Sequence, residues 1–349
     1  YSPFNRLSHI HRHYLPVGYA WQLVNTSRNH FNPKVIGRYL NTGRDNSWRD
    51  QVMSEVVCNG MDAWIKILRL EIDKHKPELL NLFETYAGEA TFGRTLIDSD
   101  LSKLPVNARI LEVGAGSLIL SCQLVKEGYF ITALEPIGEG FSHFEELRSM
   151  ILDQAKLFGY EPRLLNIRAE ELSEPSQYDF AFSINVMEHV KDVGIVIERV
   201  MDALSPIGFY RFTCPNYLFP YEPHFDIPIL FSKRFTAFVF KSRIYNNRNL
   251  SDPRGVWQSL NWITVPKILD IVRKNTMVNV SFRRDLFASM ILRSVNDPIF
   301  SARRSPWLRK FLSVLVTIGL YKAVSLIPAI FQPIIDCTLV RSRNILQDT

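Results

Sequence analysis

The chain has 349 residues, 46% of them hydrophobic and 22% charged, with a net charge of +6. That length holds one large domain with additions or two domains, and the composition is ordinary for a globular protein with a sizeable core. No dense basic tract interleaved with aromatics is present, so nucleic acid is not an expected partner. The cysteines Cys58, Cys122, Cys214 and Cys337 form no Cys-x-x-Cys pair. This argues against a zinc or disulfide framework and fits a reduced, cytoplasmic compartment.

Residues 1–104 read as an N-terminal segment with leader helices that form a lid or cap on the core. His9, His11 and His13 would share one face of a strand. No nearby carboxylate or cysteine completes a ligand set, so no metal site is expected. Trp48 to Lys74 reads as a helix, with Val52, Val56, Val57, Met61, Trp64, Ile65, Ile67, Leu68 and Leu70 giving a broad apolar face. A second helix is predicted over Glu78 to Tyr86.

Residues 105–299 read as the core. Ile110 to Val113 is a short apolar run that ends in Gly114 and Gly116, the pattern of a buried strand closed by a tight turn. Leu118 to Glu127 is helix-like, and Gly128 stops it. Such a turn lets a ligand approach the backbone and aims free helix N–H groups at it. Ile131 to Leu134 is a second strand, ending in Glu135, where an acid typically takes ribose hydroxyls.

The remaining elements continue this rhythm. They are a helix over His143 to Phe158, strands over Leu164 to Arg168 and Phe180 to Ile184, a helix over Asp192 to Leu204, and a fifth strand over Phe209 to Thr213. Residues 215–262 form a long connection rich in proline and aromatics, read as an ordered lid. A helix from Pro266 to Lys274 and a sixth strand over Val278 to Arg283 come next. Residues 300–333 are an apolar helical insertion, and residues 334–349 hold a seventh, antiparallel strand and the tail. The fold class expected is α/β, Rossmann-like and doubly wound. Its mostly parallel seven-stranded sheet has an antiparallel edge strand, N-terminal helices and a C-terminal helical insertion.

The turn also points to the ligand. A dinucleotide site needs a third glycine where this chain has Ile119, and Glu112 just before the turn would repel a pyrophosphate. A carboxylate there suits a cationic amino-acid group, so the adenosine-type ligand implied is S-adenosyl-L-methionine. Glu112-Val-Gly114-Ala115-Gly116, Glu135 and the run Asp179 to Val190 together resemble the class I S-adenosylmethionine-dependent methyltransferases. The last run is most similar to the small-molecule branch that includes ubiquinone-type O-methyltransferases. Leu118 and Arg168 depart from that pattern; Arg168 stands where many members have an aspartate near the adenine. Ala169 and Glu170 are therefore the expected adenine contacts, and Asn185 closes the methionine end.

For an oxygen nucleophile the protein must also remove a proton, and a histidine is the natural base. His224, between Glu222 and Asp226, is the first candidate and His189 the second. Tyr217, Tyr221 and Glu222 are candidate acceptor contacts. Arg303, Arg304, Arg309 and Lys310 surround Trp307 at the entry to the apolar insertion. That composition suits a helix lying on an anionic membrane surface. The expected acceptor is a lipid-linked, glycan or quinone-like molecule at a membrane that the chain does not cross. A soluble metabolite with the insertion making an oligomer, or a catalytically silent relative, are the alternatives.

Overall fold

The computed structural model describes residues 60–105, 107–136, 145–247, 250, 252–275, 277–302 and 304–342. The run His9, His11 and His13, Cys58, Arg303 and the first part of the helix predicted from Trp48 lie outside the described residues. Helix α1 (Met61–His75) starts after extended Gly60 and buries Trp64, Ile65, Leu68 and Ile72 on one face, narrower than the sequence pattern predicts, for Leu70 is exposed. Helix α2 (Leu80–Leu101) overruns the stop predicted at Tyr86. Its inward face continues through Ala87, Ala90, Ile97 and Leu101, and that burial outweighs the weak helix propensity of Gly88 and Gly93.

The strand–helix alternation then runs β1 (Arg109–Val113), α3 (Ile119–Lys126), β2 (Phe130–Leu134), α4 (Glu145–Phe158), β3 (Arg163–Leu165), β4 (Tyr178–Ile184), α5 (Val193–Ala203) and β5 (Leu204–Pro215). Asp192 caps α5, its carboxylate accepting from the N–H groups of Gly194 and Ile195. Strand β3 is shorter than predicted because Ala169–Glu171 winds into a 3-10 turn. Strand β5 begins at Leu204 rather than Phe209. Pro206 and Gly208 do not separate helix from strand, and a shift of register between Tyr178 and Phe180 accommodates them.

The lid folds as a hairpin, β6 (Tyr221–Glu222) with β7 (Ile227–Pro228), followed by α6 (Lys233–Val239), α7 (Lys241–Tyr245) and α8 (Pro253–Ser259). Helix α9 (Val265–Lys274), capped by Thr264, leads to β8 (Val278–Phe282). Then come α10 (Leu286–Asn296), α11 (Pro298–Ala302), α12 (Pro306–Thr317), two 3-10 turns and β9 (Ile334–Arg341).

The sheet has seven strands in the order β3-β2-β1-β4-β5-β9-β8. Strands β1 to β5 pair in parallel, and β9 runs antiparallel between β5 and β8. Side chains of β1 alternate between two layers. Leu111 and Val113 join Val196, Val200 and Ile268, while Ile110 joins Trp64, Phe83 and Phe158. Across the sheet, Arg211 on β5 is buried and pairs with two carboxylates. Its Nη1 lies 2.7 Å from Asp100 Oδ2 on α2, and its Nη2 lies 2.6 Å from Asp336 Oδ2 on β9. Arg283, just after β8, closes on Asp100 as well.

The insertion leaves and re-enters the sheet at one end. Ile334, the first residue of β9, pairs with Pro215, the last of β5, so the segment emerges beside the carboxyl ends of the parallel strands. Helix α12 and the turns Leu320–Leu326 and Ala329–Phe331 bury none of their side chains. Trp307 is 71% exposed and Leu326 78%. Among the described residues no helix is long and apolar enough to cross a membrane.

Candidate active site

Glycine carries the backbone through the turn after β1. Gly114 has φ +77° and Gly116 φ +49°, and Leu118 comes next at φ 68°, an uncommon left-handed position for a leucine. The N–H groups of Gly114 and Ala115 both donate to Leu134 O at the end of β2, at 2.8 and 3.2 Å. The turn is thereby fixed beside the second strand, and Glu135 reaches back so that its Oε2 accepts from Gly116 N–H at 2.9 Å. A Cβ added at Gly116 would meet nothing within 4 Å, so open space lies in front of that residue.

Glu112 shares the Ile110 face of β1, where Ser121 on α3 donates its hydroxyl to Glu112 Oε2. Burial, with Glu135 nearby as a second negative charge, pushes the Glu112 carboxyl up to about 8. Among the described residues neither Glu112 nor Glu135 is in an ion pair. Two buried acids outside any ion pair among the described residues, at the mouth of an open glycine turn, are the environment that a ligand carrying an ammonium and hydroxyl groups would satisfy. Burial also pushes Glu135 upward, and Arg148 on α4, itself buried, opposes that shift.

The remaining predicted cofactor positions sit at strand ends as well. Ala169 is buried in the 3-10 turn after β3. Glu170 uses Oε1 to accept from Lys191 N–H at 2.7 Å and Asp192 N–H at 3.3 Å, tying that turn to the start of α5. Asn185 stands after β4 at φ 56° and donates its N–H to Thr213 O at 2.8 Å, another left-handed residue of the kind that gathers at functional sites.

Beyond Asn185 the chain brings the two histidines together. Their rings stand edge to face, 5.3 Å between centroids. His224 Nδ1 lies 2.6 Å from Glu222 Oε1, while Glu222 Oε2 accepts from Phe225 N–H at 2.8 Å. Glu222 is fully buried, and its carboxylate holds His224 from behind. Tyr217 donates to the same carboxylate at 3.3 Å and stacks on Trp262. Tyr221 donates to Asp226 Oδ1 at 2.7 Å, which commits both to the lid hairpin and leaves Glu222 alone to orient His224.

His189 Nδ1 lies 2.7 Å from Ser259 Oγ on α8, whose own hydroxyl donates to Val256 O at 2.8 Å. The serine oxygen must therefore accept, which places the proton of His189 on Nδ1. Burial, with His224 and Lys233 adding to it, lowers the His189 pKa to about 3. Burial alone would lower His224 too, but the Glu222 carboxylate outweighs it and the net shift is upward.

Sequence reasoning misses several residues here. Ser121 is on the inward face of α3, nine positions after Glu112, and helical spacing could have flagged it. Ser259 and Asn261 carry no such signal. Asn261 clamps the post-β4 loop by donating Nδ2–H to Met187 O at 2.7 Å and Val190 O at 2.9 Å.

No family model matches this chain. It is 42% identical over 281 residues to an uncharacterized protein of Mycobacterium tuberculosis, Rv1509, covering 80% of this chain and 95% of that one. A ubiquinone biosynthesis O-methyltransferase of Rickettsia conorii is 29% identical over 120 residues, 34% of this chain and 37% of that protein. Among solved structures, phosphoethanolamine N-methyltransferase 2 of Haemonchus contortus, in complex with S-adenosyl-L-methionine, aligns with TM-score 0.42 and 16% identity. The alignment covers 71% of this chain and 51% of that one. A putative sarcosine dimethylglycine methyltransferase of Galdieria sulphuraria aligns with TM-score 0.39 and 17% identity over 74% of this chain and 87% of that one. The chain belongs to the family of the mycobacterial protein.

Proposed function

We propose that the protein is a class I S-adenosylmethionine-dependent methyltransferase and that it methylates an oxygen of a lipid-linked, glycan or quinone-like acceptor presented at an anionic membrane surface. The observation that carries this reading is the insertion between β8 and β9. It leaves the sheet at the carboxyl ends of the parallel strands, where the ligand loops gather, and none of the side chains of α12 is buried. Residues 298–335 contain no aspartate or glutamate but hold Arg303, Arg304, Arg309, Lys310 and Lys322. Basic, tryptophan-bearing and apolar, such a segment suits the headgroup boundary of an anionic membrane. Arg304, at the start of this segment, acts electrostatically on Tyr221 and His224, so the segment begins within electrostatic reach of the lid hairpin.

S-adenosyl-L-methionine, when bound, supplies an electrophilic methyl carbon on a sulfonium. Glu112 takes its ammonium, Glu135 takes the ribose hydroxyls, and the N–H groups of Ala115 and Gly116 line the turn. Ala169 and Glu170 flank the adenine, and Asn185 closes the methionine end. His224, held at Nδ1 by Glu222, accepts the acceptor's proton at Nε2; His189 stands beside it as the second candidate. Trp262, whose buried Nε1–H has no partner among the described residues, and Tyr217 form the aromatic wall. An unpaired buried indole donor is a costly feature that a polar acceptor group would relieve.

The test is methyl transfer from labelled S-adenosylmethionine into a membrane extract. Label in an ether-type product of the organic phase, lost in His224→Ala, is the expected result. Label confined to water-soluble metabolites would replace the membrane acceptor with a soluble one.

A further inference from the structure

The lid carries an exposed aromatic patch of its own, far in sequence from the insertion. Phe231, just before α6, is 97% exposed, and Phe238 on α6 is 79% exposed. Phe235 and Val239 are exposed on the same face of the helix, and the Phe231 and Phe235 rings lie 5.9 Å apart. On the other side of α6, Thr236 is buried, and Ala237 and Phe240 pack against the core. Phe231 has φ +51°, a left-handed position rare for an aromatic residue. Local hydrogen bonds fix that turn. The Leu230 N–H donates to Thr236 Oγ1 at 2.9 Å, and the Thr236 hydroxyl donates to Leu230 O at 3.2 Å. Ser232 caps the helix, its Oγ accepting from Phe235 N–H at 3.2 Å.

Folding gains nothing from a phenylalanine ring held in water on a left-handed backbone. Strain and exposed apolar patches of this kind gather where a surface has a use. The charge around the patch indicates what covers it. Between Asp226 and Asp252 the sequence has no acid, and Arg234, Lys241 and Arg243 stand exposed on α6 and α7. The two bracketing acids are engaged elsewhere, for Asp226 accepts from the Tyr221 hydroxyl and Asp252 caps α8. Exposed aromatics set among cations, with no acid between, match the headgroup boundary of an anionic bilayer, where rings enter the acyl edge and cations meet lipid phosphates.

We propose that this face of the lid, centred on Phe231, Phe235 and Phe238, is a second docking surface for an anionic phospholipid bilayer. Lys233 links it to the histidine pair. Its Nζ donates to Gln258 O at 3.1 Å and to Leu260 O at 2.5 Å, the carbonyls on either side of Ser259, and Ser259 Oγ lies 2.7 Å from His189 Nδ1. A bilayer that seats Phe231 therefore holds the lid by an element bonded directly to the loop behind His189. The same lid carries Glu222 and His224 on its hairpin. Docking itself needs only the lid residues. Its use in catalysis rests on the membrane-acceptor reading above and deepens it, because an acceptor embedded in the bilayer then meets the lid without crossing water.

The full chain is floated with vesicles of phosphatidylcholine and phosphatidylglycerol, and with vesicles of phosphatidylcholine alone. It is expected to float with the first and much less with the second. Phe231→Gly combined with Phe238→Ser should weaken binding to the anionic vesicles by about 10-fold or more. Arg234→Glu combined with Arg243→Glu should weaken it by about 10-fold or more as well. Glycine accepts φ +51° without strain, so Phe231→Gly alone should lower vesicle binding and leave Tm no lower, a split that a merely structural role does not give. Phe231→Trp should be quenched by brominated acyl chains, and Leu70→Ser, on the exposed side of α1, should change nothing. Flotation that the lid variants leave intact while Trp307→Ser weakens it overturns the lid surface and leaves the membrane reading. Absence of vesicle binding overturns the lid surface, and a dimer that Phe238→Ser dissolves then assigns the patch to a second copy of the chain. Lid-dependent flotation with methyl label confined to water-soluble products overturns the membrane-acceptor reading instead and leaves the lid surface.

Discussion

Gly114 and Gly116 are one residue apart in the same turn, yet substituting them should damage different properties. A Cβ at Gly114 would lie 2.3 Å from Val186 Cγ2 and 2.8 Å from Val186 Cγ1. Positive φ costs an L-residue about 1–2 kcal/mol. Displacing a packed valine adds roughly 1–3 kcal/mol. Gly114→Ala should therefore destabilise by about 2–5 kcal/mol, the sum of those two ranges. Gly116→Ala carries only the backbone cost of about 1–2 kcal/mol, because nothing lies within 4 Å of its added methyl. At roughly 2 °C per kcal/mol for a domain of this size, Gly114→Ala should lower Tm by about 4–10 °C and Gly116→Ala by about 2–4 °C.

Binding should show the reverse order. The methyl of Gly116→Ala projects into the open cofactor space and should weaken S-adenosylmethionine by about 10–100-fold, or 1.4–2.8 kcal/mol. Scanning calorimetry and ligand titration on the two variants separate these effects. The double variant Gly114→Ala with Val186→Ala should recover at least about 1 kcal/mol through relief of the clash. Equal losses of stability in the two variants, or additivity with Val186→Ala, would refute the reasoning.

Replacing Arg211 by methionine leaves Asp100 and Asp336 buried without their main counter-charge, and urea unfolding should show a loss of about 3–5 kcal/mol. Burial alone would raise the Asp100 carboxyl, but hydrogen bonds from Arg283 and Arg211 hold it below its ordinary value. The stabilisation is therefore complete above the unfolded-state pKa of about 3.9 and is lost as pH falls through the lower folded value. Asp100→Asn should flatten that acid limb of Tm against pH. The net upward shift of His224 requires a higher pH for its neutral form, so with His224 as the base, turnover should fall through a pKa above 6.5 as pH drops. Glu222→Gln should move that limb to lower pH, and His224→Ala should cut kcat by about 10²–10⁴ while sparing cofactor affinity. Flotation with anionic vesicles should depend on Trp307 and on Arg309 and Lys310, and should weaken in high salt; flotation that ignores all three would remove the membrane from the proposed function.

The geometry of the proposed cofactor half is legible in the sequence because βαβ units bring the residues after their strands to one predictable end of the sheet. Glu112, Gly114, Gly116 and Glu135 fall within 24 consecutive positions, and local patterning is enough to find them. The acceptor half is only half legible. His189 and His224 are nameable by chemistry, but their approach depends on the loop that Asn261 clamps, and Ser259 is 70 positions from the histidine it fixes. The Arg211 network is invisible for the same reason, with 111 and 125 positions separating the arginine from its two partners. The elements whose bounds depart from the sequence pattern, α2 and β5, are those in which glycine or proline reads as punctuation while tertiary packing carries the element through.

The place of β9 in the sheet bears on how the chain is made. It is the last strand of the described chain, yet it lies between β5 and β8 and supplies Asp336 to Arg211. A nascent chain that has emerged only as far as the apolar insertion therefore has an unzipped sheet. The edge of β5 is open, and one of the two acids that neutralise Arg211 is still missing. Long-range pairing of this kind forms late. The exposed apolar segment around Trp307 is thus made before the sheet can close.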